Sequence, residues 1–447
     1  MLKKRLFSLL KLNSGAKKII FNISWLFFDK ILKMLFGVFV ISMISRYLGP
    51  TQYGLLNYIT ALISLFIAFS ALGLNGIVVR DLLIKEKEAP IILGTAFGLK
   101  LIGGIISFFF FLLLVYTLRP DDNVTISLSL VLGFMLIFKS ADVIKFWYES
   151  QTASKYTVIV ENSAFLIVGT VKLALIYFEA SLKMFVLAIL LESILVFIFF
   201  FLIYKKNKSS FFNWKFKRDK AKNLLRDSWP LIISSSAWII YSKIDQVMIG
   251  QMMDDTAVGY YSAATRISDM VSFIPAMVAF SIIPSILKYR KKNNKLYMYK
   301  FQNIYNIVTS ILFLLAIFIT FFSEHIINFV FGAQYSQSAN VLKIHFWTVI
   351  LIGLAVVSGR YLINEGLQRI TMYRHLTGVL INIPLNFILI PKIGIDGAAV
   401  SSLISLFCAN YLLDYFNRDT KIIFKQKTKA LFFTWGLNQL KNKKHEE

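Results

Sequence analysis

The chain has 447 residues, 57% of them hydrophobic and only 16% charged, with a mean hydropathy of +0.65 and a formal net charge of +25. That balance excludes a water-soluble globular domain and a disordered chain, because apolar runs of about 20 residues, each enough to cross a hydrocarbon core of roughly 30 Å, recur throughout. A single cysteine, Cys408, excludes an internal disulfide, and four scattered histidines show no two-ligand spacing, so no metal or other cofactor is expected.

In chain order, residues 1–18 (MLKKRLFSLLKLNSGAKK) read as a basic amphipathic arm lying on the membrane surface. A cleaved signal fits less well, since Lys11 interrupts the apolar stretch and no small-residue cleavage site follows. Spans are expected near 19–44, 55–79, 91–117, 125–148, 157–178 and 184–204. A basic stretch, 205–228, then precedes a second set near 229–252, 258–287, 301–322, 339–363, 370–390 and 395–416. Residues 417–447 form a basic tail, whose KALFFTWGLNQL stretch (429–440) is too short to cross and belongs in the interface. The expected fold is an all-α polytopic membrane protein of about twelve transmembrane helices.

Lysine and arginine concentrate in alternate connections: the amino-terminal arm, Arg80 with Lys85 and Lys87, Lys155, residues 204–226, residues 288–300, Arg369 and the tail. The opposite connections hold Arg46, Arg119, Lys183 and Lys392. The positive-inside rule therefore puts both termini in the cytoplasm. Topology and anionic headgroups account for the net charge without a nucleic-acid partner.

The chain also echoes itself. YLGPTQYGLLNYITAL (47–62) aligns with MMDDTAVGYYSAATRI (252–267), matching Thr51 to Thr256 and Gly54 to Gly259, and KLALIYFEASLKMF (172–185) pairs more faintly with NFILIPKIGIDGAA (386–399). Two six-span halves in the same orientation, 19–204 and 229–416 joined by 205–228, imply two helix bundles around a central cavity where a substrate would bind.

Charges inside the expected spans carry the functional reading. Asn22, Trp25, Asp29 and Lys33 share one face of the first span, and Lys30 lies beside them. Further along come Lys139, Asp142 and Lys145, then Glu161 and Lys172, Lys243 and Asp245, and Arg266 and Asp269, with Lys100, Glu192, Lys343, Arg360 and Arg374 in other spans. Each costs roughly 2.5–3.5 kcal/mol at a helix centre, so they are not expected to face lipid. The named cations outnumber the named carboxylates, which suggests an electropositive aqueous chamber awaiting an anion. The bland alternatives remain open: Asp29–Lys33, Lys139–Asp142 and Arg266–Asp269 are spaced for internal pairs, while Lys100, Lys172, Lys343 and Arg374 lie near span ends and are expected to snorkel. His345 and His375 read as packing residues.

Residues 36–83 (FGVFVISMISRYLGPTQYGLLNYITALISLFIAFSALGLNGIVVRDLL), DQVMIGQMMDDTAVGYYSAATRI with Pro275 and Pro284, and NIPLNFILIPKIGIDGAAVSSLIS (382–405) resemble Wzx-type polysaccharide repeat-unit flippases of the multidrug/oligosaccharidyl-lipid/polysaccharide exporter superfamily. The resemblance covers nearly all the expected spans. It implies a non-enzymatic transporter of the bacterial cytoplasmic membrane, moving oligosaccharides joined through pyrophosphate to undecaprenol from the inner to the outer leaflet for O-antigen, capsule or a similar polymer. Its partners would be that lipid-linked oligosaccharide, membrane lipids and a polysaccharide polymerase. On this reading Lys30, Lys33, Lys139, Lys145, Lys243 and Arg266 are the candidates for holding the pyrophosphate. Trp25, Asn57, Tyr58, Trp238, Tyr241, Tyr260 and Tyr261 would meet the glycan. Asp29, Asp142, Glu161, Asp245 and Asp269 would organise those cations or couple transport to an ion gradient. No Gly-x-x-x-x-Gly-Lys-Ser/Thr motif for ATP is present. A lipid II flippase, a multidrug exporter and, from another class, a membrane polysaccharide polymerase are the alternatives.

Overall fold

The computed structural model describes residues 14–207, 211–287, 289–290 and 293–433, and among these it contains helices and no strand. Backbone amides in hydrocarbon must find their partners within the segment, and this composition meets that demand only as helices. Residues 1–13 and 434–447, and with them most of the proposed arm and the end of the tail, lie outside the described part, as does the side chain of Asn22.

The chain divides into two compact units. One runs up to Leu48 and resumes over Ile59–Ser236; the other comprises Gly49–Tyr58 and the residues from Ala237 onward. In the first lie most of α1 (Ser14–Ser70), then α2 (Leu74–Ile84), α3 (Ala89–Leu118), α4 (Asn123–Gly133), α5 (Asp142–Ser150), α6 (Ser154–Tyr177), α7 (Leu182–Lys206) and the start of α8 (Arg218–Met252). The second holds the rest of α8, then α9 (Asp255–Val271), α10 (Phe273–Leu287), α11 (Asn294–Val330), α12 (Ser338–His345), α13 (Thr348–Asn364), α14 (Gln368–Phe407) and α15 (Lys421–Leu431).

Among the described residues eight helical stretches are long and apolar enough to cross a membrane. Two of them, Phe28–Ile84 and Gln368–Phe416, are each about twice the length of a crossing and hold two expected spans apiece. The expected spans 229–252 and 258–287 are helical but not among the eight: α8 opens with the charged run RDKAKNLLRD, and the second stretch is divided between α9 and α10. Rows of exposed large apolar residues, such as Ile102, Phe109, Phe110 and Leu113 on α3 and Leu314, Phe318 and Phe321 on α11, suit lipid as the solvent.

Helix breaks fall where the repeat was read. Gly49 takes φ 70° immediately before Pro50, a left-handed conformation that a side chain would strain, and splits α1. Its counterpart is the short turn between α8 and α9. In the fainter echo, the link between α6 and α7 corresponds to Ile393 and Gly394, non-helical residues that break α14 just past Pro391.

In the first unit Leu74, Val78, Ile92, Leu93, Ala96, Val143, Ile144 and Phe200 form the buried core. The basic connection folds onto it. Trp214 packs against Phe97, Phe201 and Tyr204, the Lys215 amide donates to the Pro90 carbonyl at 3.2 Å, and Lys220 and Arg80 both pair with Asp81 at 2.7 Å. Gly94 permits this approach, since a Cβ there would stand 2.6 Å from the Lys215 nitrogen.

Within the second unit, the decapeptide Gly49–Tyr58 lies on α9. The Thr51 and Thr256 hydroxyls are 2.8 Å apart, Gln251 donates to the Tyr58 hydroxyl at 2.5 Å, and the Tyr53 ring meets Tyr335 edge-on. Two residues matched in sequence are therefore bonded to each other. Deeper in the same unit, Asp414 accepts from Arg374 at 2.6 Å and from Lys427 at 2.8 Å, and all three side chains are buried. The five-residue π-helical turn Cys408–Leu412 ends two residues before Asp414 and presents the Asn410 carbonyl to Lys427 at 2.5 Å.

Candidate functional site

In the first unit, four charges from three spans form one ladder. Asp29 and Lys33 are one helical turn apart on α1, and the Lys33 ammonium stands 2.7 Å from Asp29 Oδ1 in an ion pair without hydrogen-bond geometry. The same ammonium donates to Glu161 Oε2 on α6 at 3.0 Å, while Lys145 on α5 donates to Oε1 at 2.8 Å. Glu161 thus bridges two lysines. The Lys33, Glu161 and Lys145 side chains remain between 26% and 31% exposed, and charges facing lipid to that extent would be costly, so the ladder borders water. Trp25 lies half-buried on α1, edge-on to Phe28, with the Lys155 ammonium 5.8 Å from its ring centre, and Lys30 is exposed.

Lys139 and Asp142 were spaced for a pair, but Asp142 bonds Lys100 instead, at 3.0 Å. Lys100 is 2% exposed and stands 5.2 Å from the centre of the Phe146 ring. It does not snorkel; its partner carboxylate, 42 residues away, comes to it. A 3-10 turn, Lys139–Ala141, interrupts the helical run between α4 and α5, and here Lys139, Asp142, Glu192 and Ser193 line a small cavity with Met135 and Phe138. Lys33 and Lys145 are not among the residues lining this cavity.

The second unit holds a cavity lined by Trp238, Tyr241, Lys243, Asp245, Tyr261, Asp269 and His345 among others. At its wall Asp245, 5% exposed, accepts from the Tyr261 hydroxyl at 2.6 Å, the Ser402 hydroxyl at 2.5 Å and the Asn386 amide at 2.6 Å. None of these partners is a cation. Behind this wall Asn382 Nδ2, Asn386 Oδ1 and Ser401 Oγ are buried without a protein partner. Trp238 stacks near His375 with ring centres 5.2 Å apart and keeps 40% of its surface exposed.

Other candidates in this unit have different surroundings. Tyr58 is fully buried and bonded to Gln251, so its ring offers no face to a ligand; Asn57 donates to the Tyr53 carbonyl at 2.7 Å; Tyr260 packs edge-on to Tyr335. Arg266 and Asp269 are both exposed and do not pair with each other. Arg374, expected to snorkel, is 2% exposed and bonded to Ser358 and Asp414. Asp396 and Asp414 fall inside the last expected span, so the cationic excess is smaller than the residues named from the sequence imply. A carboxylate in an apolar stretch was the available signal for Asp414. Lys427, in a polar helix beyond the spans, gave none.

The model of the family described as polysaccharide biosynthesis protein matches residues 19–290, more than half of the chain, and a second, MatE, matches residues 230–388. Over 200 residues the chain is 30% identical to the probable low-salt glycan biosynthesis flippase Agl15 of Haloferax volcanii, a match covering 43% of this chain and 41% of that relative's length. The capsular polysaccharide biosynthesis protein CapF of Staphylococcus aureus aligns over 88% of this chain and 98% of its own, at 20% identity. Among solved structures, an inward-facing multidrug resistance MATE family transporter of the MOP superfamily matches at a TM-score of 0.73 with 14% identity, covering 89% of this chain and 96% of that one. The lipid II flippase MurJ, in an inward closed conformation, also gives 0.73, at 17% identity over 94% and 93%. With the all-helical apolar architecture, these matches make this a multi-pass membrane protein with the fold of the MOP superfamily, and the chain belongs to the polysaccharide biosynthesis protein family.

Proposed function

We propose that the protein is a flippase that moves undecaprenyl-pyrophosphate-linked oligosaccharide repeat units from the inner to the outer leaflet of the bacterial cytoplasmic membrane, for surface polysaccharide synthesis. The observation that carries this reading is the pair of part-exposed lysines, Lys33 and Lys145, joined by one carboxylate within candidate membrane spans, in a chain of this family. A pyrophosphate diester brings two negative charges, and ammonium groups in a low-dielectric chamber can replace its hydration. The names of the Haloferax and Staphylococcus relatives point to glycan and capsule synthesis and favour a sugar-bearing cargo over a cationic drug. Two bundles, 19–204 and 229–416, rock about the cargo in alternating access, with both termini cytoplasmic and the polyprenyl chain left in lipid.

Coupling is assigned to Asp245. Asp245 is a buried carboxylate whose hydrogen-bond partners, Tyr261, Ser402 and Asn386, are all neutral, so no protein cation in those bonds competes with an entering one. Asp245→Asn should therefore remove the dependence of transport on an imposed pH or sodium gradient in proteoliposomes; an unchanged gradient response would take Asp245 out of the mechanism.

Depleting the protein should make lipid-linked repeat units accumulate on the cytoplasmic leaflet, and a normal outer-leaflet supply would sink the proposal. Lys33→Ala should lower export by about tenfold or more, a loss of roughly 1.4 kcal/mol or above, while membrane insertion stays normal.

A further inference from the structure

Glu161 meets the two lysines in a particular way. Each of its carboxylate oxygens takes one ammonium, Oε2 from Lys33 and Oε1 from Lys145, so the side chain fills the position that a bridging anion would take between α1 and α5. We infer that Glu161 is a built-in occupant of a two-lysine anion site and leaves it when a diphosphate group binds. This rests on the reading of the cargo given above.

Charge decides the direction of exchange. Lys33 and Lys145 are offset in the ladder by Asp29 and Glu161, leaving it neutral, and a diphosphate diester offers two charges where the carboxylate offers one. Access permits it, since all three side chains of the bridge are partly exposed. Once displaced, Glu161 stands beside a dianion, with Asp29 on α1 and Asp142 and Glu149 on α5 adding to the negative field, and with Lys33 and Lys145 engaged elsewhere. A carboxylate in that position takes a proton from water, one per diphosphate bound, and returns it when the lysines are released. Lys33 and Lys145 hold the ligand; Glu161 sets the affinity and ties it to pH.

The test uses purified full-length protein in nanodiscs, with UDP-glucose as a water-soluble diphosphate diester whose two charges stay fixed from about pH 8 to about pH 5. Wild-type affinity should rise on acidification, approaching about tenfold per pH unit at the steepest. Glu161→Gln should bind about tenfold more tightly than wild type near pH 8 and lose the pH dependence, since the carboxylate that bridges the two lysines is gone. Asp227→Asn, which removes a carboxylate from the Arg80 cluster of the same unit, serves as the control and should bind like wild type. Weaker binding by Glu161→Gln, equal tightening by Asp227→Asn, or no binding to any form overturns the exchange. If Glu161→Gln does not fold, the wild-type profile decides, and a flat one overturns it. Movement of lipid-linked oligosaccharide in proteoliposomes separates the two ideas. Tightened binding without movement keeps the site and rejects the flippase; movement with pH-independent binding rejects the exchange alone.

Discussion

Asp414→Ala should destabilise the second unit by roughly 3–5 kcal/mol, the cost of leaving buried cations without their counter-charge. Arg374 and Lys427 both bond to this carboxylate, none of the three side chains is more than 2% exposed, and the cluster already carries one positive charge in excess. Alanine would leave two cations facing each other. Lys427 lies on α15, outside the membrane-spanning segments, and burial, then Arg374, pushes its ammonium down to about 7 from the ordinary 10.5, against the pull of Asp414. Between those values the unfolded chain binds a proton that the folded chain does not, so wild-type stability should rise with pH across that window. The mutant loss should be larger below about pH 7, where Lys427 keeps its proton, and smaller near about pH 9, where it has shed it. Thermal unfolding of the detergent-solubilised protein, followed across pH, reads both effects; an unaltered midpoint in Asp414→Ala would show that the cluster contributes nothing.

Gly54→Ala should dislodge the decapeptide Gly49–Tyr58 from α9. A Cβ at Gly54 would overlap the Asp255 carbonyl oxygen and stand 2.8 Å from the Gly259 nitrogen, and a Cβ at Gly259 would overlap the Pro50 carbonyl. Backbone meets backbone here, so no side chain can rotate away. Overpacking a well-packed core costs about 1–3 kcal/mol, and this backbone contact belongs at or above the upper end. A disulfide trap reads it directly. With Cys408 replaced by serine, Thr51→Cys and Thr256→Cys should oxidise together, because the hydroxyls they replace are 2.8 Å apart. Adding Gly54→Ala should slow that cross-link by an order of magnitude or more; an equal rate would mean that the close approach is dispensable.

What could be read from the sequence divides along contact distance. Apolar runs and their breaks depend on neighbours in the chain, and so helix covered the stretches expected of it, with turns at Gly49 and Gly394 where the echoes suggested them. Asp29 and Lys33 were legible as partners for the same reason. Glu161 was recognised as a buried charge, but its two lysines lie 128 and 16 residues away, and no local pattern encodes that geometry. Position near a span end made Lys100 and Arg374 look able to reach the interface; the carboxylates that hold them inside come from other helices. Tyr58 had the right chemistry for sugar stacking, and burial against Gly250, invisible from one sequence, removes its face.

The division at Leu48/Gly49 and Tyr58/Ile59 bears on how such a protein could be split. A gene fragment encoding only residues 237 onward would lack the ten residues that cover α9, and would present bare backbone at Gly259 together with an unsatisfied Gln251 amide. The amino-terminal fragment would carry that missing piece as a protruding donor. The latter half of the chain is thus not self-contained: its compact unit is completed by ten residues from the first half.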